Sequence, residues 1–245
     1  MEKISNMNVY NKRMAASMVD KLFFVDQISD VDTIVDFGCA NGELLRLVPD
    51  TWNKIGVDNC PDMIAAAKEN CPEASYVNSL DEVKPRGITL LNLSSVIHEV
   101  YSYLTPIEIS KFWGSVFNTG YDYIAIRDMM VSEITNRPWD LSGVMKTITH
   151  PLFADFHNSF PQMRERDLTH FLLKYRYVEN WNRESKENYF PITLEELKAL
   201  IPNKYEIMYE KHYALEWTKN KVYEDFGYEI KDNTHIKMIL RKIKN

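Results

Sequence analysis

Two carboxylates at the ends of short apolar runs are the residues best placed to do chemistry in this chain. Thr33-Ile34-Val35 leads to Asp36, and the small-residue turn Gly38-Cys39-Ala40-Asn41-Gly42 follows before Glu43-Leu44-Leu45 opens a helix. Backbone N–H groups and a helix N-terminus then face whatever sits at the strand tip, the arrangement of a nucleotide-type cofactor site. Two of the chain's eight glycines fall in this turn. An ordinary tight βα turn has a similar composition, so the turn alone is not diagnostic. A second apolar run, Lys54-Ile55-Gly56-Val57, ends on Asp58, 20 residues past Gly38, where a dinucleotide fold places the carboxylate that accepts from ribose hydroxyls. The turn reads Gly-x-Ala-x-Gly rather than Gly-x-Gly-x-x-Gly, and Asp36 stands two residues before its first glycine. A carboxylate there repels a pyrophosphate and suits a ligand carrying an ammonium or a sulfonium, which disfavours a nicotinamide oxidoreductase.

These residues need strands that end at one edge and helices that return the chain. Tyr10 to Gln27 reads as an amphipathic helix, with Met14, Met18, Leu22 and Val25 on one face, and residues 1–30 form a helical cover. Pro61 opens a helix to about Asn70, with its missing N–H placed harmlessly in the first turn. Strands are expected at Ala74 to Val77, Gly87 to Asn92 and Tyr121 to Ile126. Thr105-Pro106-Ile107-Glu108 is a capping box for a helix to about Asn118. Strands alternating with helices predict a parallel sheet. From Met129 to Pro191 the pattern changes, and Leu168, Phe171, Leu172, Tyr175 and Val178 mark one helix face. An insert of about sixty residues is too long for a plain loop. It follows the fifth strand at the carboxyl edge, where ligands bind, and is read as a substrate lid lined by Phe153, His157 and Tyr175. Arg127-Asp128 is read as an internal ion pair at its hinge. Thr193 to Glu196 caps another helix, and strands at Tyr205 to Tyr213 and His235 to Leu240 finish a single domain over 1–245.

With these residues in view, Val31 to Met129 resembles the class I S-adenosylmethionine-dependent methyltransferases, and the last forty residues do so more loosely. The resemblance implies an α/β fold: a Rossmann-like seven-stranded, mostly parallel sheet, its last strand antiparallel, with helices on both faces and a helical insert after the fifth strand. It implies S-adenosyl-L-methionine as cofactor. Asp36, Gly38, Cys39, Ala40 and Gly42 match the motif around its methionine part, Asp58 the ribose acid, and Asn59 the adenine lining, with Met63 in the same set. Asn78, Ser79 and Leu80 match the segment at the adenine amino group, although the family often has Asp where Asn78 stands. Leu93-Ser94-Ser95 matches the fourth-strand motif beside the methyl group.

Methyl transfer asks the protein for proximity and orientation, plus a base where the nucleophile carries a proton. His98 is the candidate catalytic base, sharing a face with Ser94 and Tyr101 while Ile97, Val100 and Leu104 take the core. The alternative is a histidine that only hydrogen-bonds its surroundings. Tyr101, Arg127, His157 and Tyr175 are the candidate acceptor-binding residues, with Tyr103 and His150 in the same segments, and Trp139 and Trp181 are available to stack on a planar substrate.

Composition bounds the rest. The chain has 245 residues, 45% hydrophobic, with net charge -6 and a pI near 5.6, which leaves no broad basic face for long DNA. Arg164, Arg166, Lys174, Arg176 and Arg183 could form a local RNA patch, or a solvated face. Three cysteines, Cys39, Cys60 and Cys71, form no Cys-x-x-Cys pair, so no disulfide framework, zinc site or other metal is expected. A polar N-terminus and the lack of a membrane-length apolar run point to a cytoplasmic protein that avoids membranes. Asn92-Leu93-Ser94-Ser95 lacks the paired prolines of enzymes that methylate base amino groups. The expected function is methyl transfer to an oxygen or nitrogen nucleophile of a small molecule. RNA, tRNA included, and a non-catalytic cofactor-binding protein are the alternatives. The oligomeric state is not legible.

Overall fold

Five strands of three to seven residues, alternating with helical segments, and two longer strands near the end of the chain assemble here into one sheet. The computed structural model describes residues 17–135, 144–162 and 164–244. Its strands are β1 (Thr33–Phe37), β2 (Asn53–Val57), β3 (Ser75–Val77), β4 (Thr89–Ser94), β5 (Tyr123–Met129), β6 (Tyr205–Tyr213) and β7 (His235–Lys242). They lie in the order β3-β2-β1-β4-β5-β7-β6. β1 to β5 are parallel, and β7 runs antiparallel to both β5 and β6.

Alternation along the strands explains why both faces are covered. Ile34, Leu90, Ala125 and Ile239 are fully buried on one face with Phe24, Leu45 and Trp52. Val35, Leu91, Ile124 and Leu240 are buried on the other with Ile97, Phe112 and Trp113. The first face carries α1 (Met18–Lys21) and α2 (Glu43–Leu47), with α3 (Pro61–Asn70) leaning on it through Ile64. The second carries α4 (Ile97–Tyr103), α5 (Pro106–Asn118) and α10 (Leu194–Leu200). Both expected capping boxes form, at Thr105–Glu108 and Thr193–Glu196, each contributing about 1 kcal/mol.

Between β5 and α10 lie α6 (Met145–Ile148), α7 (Phe153–Ser159), α8 (Glu165–Lys174) and α9 (Trp181–Glu184). They share a separate core with α11 (Glu216–Phe226), in which Phe156, Leu168, Phe171, Val222 and Phe226 are buried. The expected helix face holds through Tyr175, but α8 ends at Lys174 and Val178 is 56% exposed in the 3-10 turn that follows. α11 has no counterpart in the sequence reading.

Two expectations are corrected. The described part of the N-terminal helix is a single turn, and 22–27 forms tight turns closed by Val25 N–H to Leu22 O and Gln27 N–H to Phe24 O. Four consecutive apolar residues, Leu22 to Val25, cannot share one helix face, and the tighter winding lets Phe24 bury completely while Phe23 packs on Tyr209. Met14, with the rest of 10–16, and Trp139 lie outside the described residues. Arg127 and Asp128 are not partners, because β5 extends to Met129 and successive strand residues face opposite sides. Arg127 pairs with Asp20 at 2.8 Å, and Asp128 with His98 at 2.7 Å.

Candidate functional site

Asp36 sits in register with Asn92 on the neighbouring strand and accepts a hydrogen bond from Asn92 Nδ2 at 2.7 Å. Burial pushes its carboxyl up to about 6, against the stabilising Asn92 bond and Lys21. Asn92 Oδ1 and Ser94 Oγ, at the same strand ends, are buried and have no partner among the described residues. Buried polar atoms rarely stay unpaired. The turn that follows β1 needs left-handed backbone at Gly38 (φ 76°), Ala40 (φ 45°) and Gly42 (φ 74°). A side chain at Gly38 would also place its Cβ 2.9 Å from Val96 Cγ2. α2 has only five residues, so its macrodipole is slight and the turn's own amides are the donors available. Asp58 is half-buried, and its carboxylate accepts from Ala40 N at 3.0 Å and Cys60 N at 2.9 Å, which ties the turn to the start of α3. Cys39 is buried within the turn. A cleft of about 20 Å³ remains, lined by Met18, Lys21, Asp36, Gly38, Ala40 and Ser94 among others, room for about one water. Asn59, after β2, and Asn78, after β3, are exposed and do not line it, Ser79 is half-buried, and Met63 is buried. The side chains of Leu80 and Leu93 belong to the core beside α4 and α5.

A larger cavity of about 180 Å³ lies between the carboxyl ends of β4 and β5 and the insert. Ser95, His98, Arg127 and Met129 line it from the sheet side, and Leu173, Asn180, Arg183, Glu184, Glu187 and Tyr189 from the insert. His98 is 4% exposed, its Nδ1 is 2.7 Å from Asp128 Oδ1, and its Nε2 is 3.9 Å from Glu187 Oε2. Burial alone would push the imidazole down, but the Asp128 carboxylate, with help from Glu187, raises it to about 9. Asp128 Oδ2 also accepts from Ile97 N at 2.7 Å, so the same carboxylate starts α4 and aims its histidine.

The insert side is a network of charges. Arg183 Nη2 lies 2.5 Å from Glu99 Oε1, and its Nε 2.6 Å from Glu187 Oε1. Tyr103 donates to the same Glu187 oxygen at 3.0 Å. Lys174 Nζ donates to the carbonyls of Glu184 at 2.7 Å and Glu187 at 2.5 Å, and lies 4.4 Å from the Tyr189 ring centroid. Tyr189 bonds the Glu184 carboxylate. Burial lowers Lys174 to about 7 and raises the Glu99 and Glu184 carboxyls. At the opposite wall, Arg127 donates from Nε to Asp20 at 2.9 Å and from Nη1 to Ser95 Oγ at 2.9 Å. Asp20, held also by Lys237 at 2.6 Å and Tyr213 at 2.6 Å, staples the N-terminal segment to the far strands.

The structure therefore brings His98, Arg127, Ser94 and the glycine turn to one edge, and leaves three of the expected acceptor residues elsewhere. Tyr101 accepts from Trp113 Nε1 at 3.0 Å against the core, because Ser94 ends β4 and α4 starts only at Ile97. Tyr175 donates to Asp225 at 2.6 Å within the insert core, where Phe153 is also buried. His157 stacks on Phe153 at 5.9 Å. Tyr103 reaches the network through Glu187, His150 and Trp181 pack with Phe171, and Lys174 and Arg183 are buried rather than on a solvated face. Sequence reading missed Lys21, Glu99, Glu184 and Glu187. Arg183-Glu184-Ser185-Lys186-Glu187 looks like an ordinary polar helix, and its partners Glu99 and Tyr103 lie 84 residues away. Among the described residues, no group of three or more His, Cys, Asp or Glu could hold a metal ion, and no helix is long and apolar enough to cross a membrane.

No family model matches the chain. Trans-aconitate 2-methyltransferase from Afipia carboxidovorans is 30% identical over 80 residues, 31% of this chain and 31% of that relative, so the match spans under a third of the relative's length. Among solved structures, a SAM-dependent methyltransferase from Methanosarcina mazei aligns with a TM-score of 0.54 at 14% identity, covering 91% of this chain and 98% of the other. One from Mesorhizobium loti gives 0.52 at 15% identity over 88% and 94%. One from Archaeoglobus fulgidus gives 0.50 at 16% identity over 93% and 94%. The chain has the fold of the SAM-dependent methyltransferases.

Proposed function

We propose that this chain, built on the class I methyltransferase fold, is an S-adenosylmethionine-dependent methyltransferase acting on an oxygen or nitrogen nucleophile of a small molecule. The observation that carries the reading is the end of β1 and β4: the buried Asp36 carboxylate, Ser94 Oγ, which has no partner among the described residues, and a left-handed small-residue turn meet at one cleft. These residues fit the cofactor. Asp36 faces positive charge, the turn amides and Ser94 Oγ offer hydrogen bonds, and the Asp58 oxygens, each with one protein donor, keep acceptor capacity for ribose hydroxyls. Bound there, S-adenosylmethionine supplies a methyl group already activated at a sulfonium.

The protein's own contribution is orientation and exclusion of water. The cavity beside the cleft is closed over by the insert, and its volume of about 180 Å³ suits a small acceptor or one end of a longer one. His98, fixed by Asp128 with Nε2 on the cavity side, is the group that accepts the acceptor's proton from its neutral form. Arg127 and Ser95 form the opposite wall.

Calorimetry with S-adenosylhomocysteine tests the cofactor site. Asp58→Ala removes hydrogen bonds to a charged acceptor, each about 1.5 to 3 kcal/mol, so affinity should fall about tenfold or more. Unchanged affinity in a folded variant overturns the assignment.

A further inference from the structure

We propose that the cavity under the insert takes an uncharged single-ring hydroxyl compound, a phenol, whose O–H sits between His98 Nε2 and Glu187 Oε2. The inference rests on the methyltransferase reading above, narrows its acceptor to one chemistry and gives Glu187 a part in binding it. Glu187 is 2% exposed. Its Oε1 takes Arg183 Nε at 2.6 Å and the Tyr103 hydroxyl at 3.0 Å, while Oε2 accepts no hydrogen bond among the described residues. That second oxygen lies 3.9 Å from His98 Nε2, too far for a direct bond, and both residues line the cavity. Asp128 holds the histidine's other nitrogen at 2.7 Å, so Nε2 is the one that meets a ligand.

An atom about 2.8 Å from both Nε2 and Oε2 sees them at an angle of about 90°. A hydroxyl there suits either state of the histidine. Its oxygen accepts from the imidazolium Nε2–H while its proton points at Glu187, or its proton turns to Nε2 of the neutral ring. A carboxylate has no proton for Glu187 and sets a like charge beside it. An aliphatic amine is an ammonium at neutral pH and has no lone pair for Nε2–H. Arg183 is already paired with Glu99 and Glu187, and Arg127 with Asp20, so a charged acceptor gains a partner there only by breaking a pair. Met129, Leu173 and Leu215 add apolar wall, and the volume is about 180 Å³. An engineered cavity of about 150 Å³ is enough for benzene. Burial lowers the imidazole, but Asp128, Glu187 and Glu99 together raise it to about 9, within about one unit of a phenol, so a proton passes between the two at little cost. In the transfer the phenol oxygen bonds the methyl carbon, the carbon–sulfur bond breaks with its electron pair left on sulfur, and the O–H proton goes to Nε2 of the neutral histidine.

The test is calorimetry of phenol, benzoate and benzylamine, each one ring with one polar group, on the intact chain, alone and saturated with S-adenosylhomocysteine. Phenol should bind at least about tenfold more tightly than either of the others. Glu187→Gln removes the charge and keeps an acceptor, so benzoate should gain on phenol by about fivefold or more, whereas a loss of packing weakens all three alike. Benzoate or benzylamine binding as tightly as phenol, or no binding of phenol, overturns the proposal, and these wild-type outcomes stand even where the variant fails to fold. An unchanged ratio of phenol to benzoate in the folded variant overturns the role of Glu187. With S-adenosylmethionine present, phenol should yield methyl phenyl ether, and faster formation of methyl benzoate from benzoate overturns the acceptor assignment. A chain that binds S-adenosylhomocysteine and not phenol loses only this inference. A chain that binds phenol with the expected preference and not S-adenosylhomocysteine loses the methyltransferase reading, and the acceptor role with it.

Discussion

The cleft at the end of β1 and the cavity beneath the insert adjoin at Lys21, yet they are built from opposite materials. The cleft is shaped by a tight turn, with φ above zero at Gly38, Ala40 and Gly42, and Ser94 Oγ on its wall has no hydrogen-bond partner among the described residues. The cavity is made of long charged side chains that satisfy one another: Arg183 with Glu99 and Glu187, His98 with Asp128, and Tyr189 with Glu184. A site with unmet hydrogen bonds gains from a ligand that meets them, whereas a site whose charges are already paired gains mainly shape and a fixed field. Affinity should therefore reside in the cleft, and rigidity in the cavity.

The largest expected effect breaks the cavity side. Arg183→Met leaves Glu99 and Glu187 facing each other without their shared cation, which should cost about 3 to 5 kcal/mol of unfolding free energy in a urea titration. Adding Glu99→Gln should return part of it. A loss below about 1 kcal/mol would mean that the network is not what holds the insert down.

A smaller effect, in rate, sharpens the role of His98. With the imidazole raised to about 9, only about 1% is neutral at pH 7. Turnover through it as a base should climb about tenfold per pH unit from 7 and level off near 9, and His98→Gln should lose the slope. Stability runs the other way: the folded value exceeds the unfolded value of about 6.5, so the contribution is full below about 6.5 and is lost as pH rises through about 9. A flat rate profile from pH 7 to 9 makes His98 a positioning residue.

The same contrast decides what could be read in the sequence. The cleft depends on neighbours in the chain, Asp36 through Gly42, whose spacing and residue types carry the geometry. The parallel sheet follows from apolar runs alternating with helices, whereas the antiparallel end, formed by the strands expected at Tyr205 to Tyr213 and His235 to Leu240, was implied only by the family resemblance. The cavity depends on pairs such as Tyr103 with Glu187 and Glu99 with Arg183, and nothing in either member announces the other. Lys174 and Arg183 look like surface residues in sequence because charge there is usually solvated; burial becomes tolerable only when the carbonyls of Glu184 and Glu187 and the carboxylates of Glu99 and Glu187 converge on them. α11 was illegible for a similar reason, since Val222 and Phe226 find their partners in the insert.

The central claim, that the turn after β1 holds an S-adenosyl cofactor, is tested most directly by calorimetric titration of S-adenosylhomocysteine into the wild type and Gly38→Val. At Gly38 a side chain meets Val96 Cγ2 at 2.9 Å and must adopt φ 76°, a conformation that strongly disfavours a β-branched residue. The account predicts saturable binding of one ligand per wild-type chain and an affinity at least about tenfold lower in the folded variant. No binding to the wild type, or equal affinity in Gly38→Val, would contradict it.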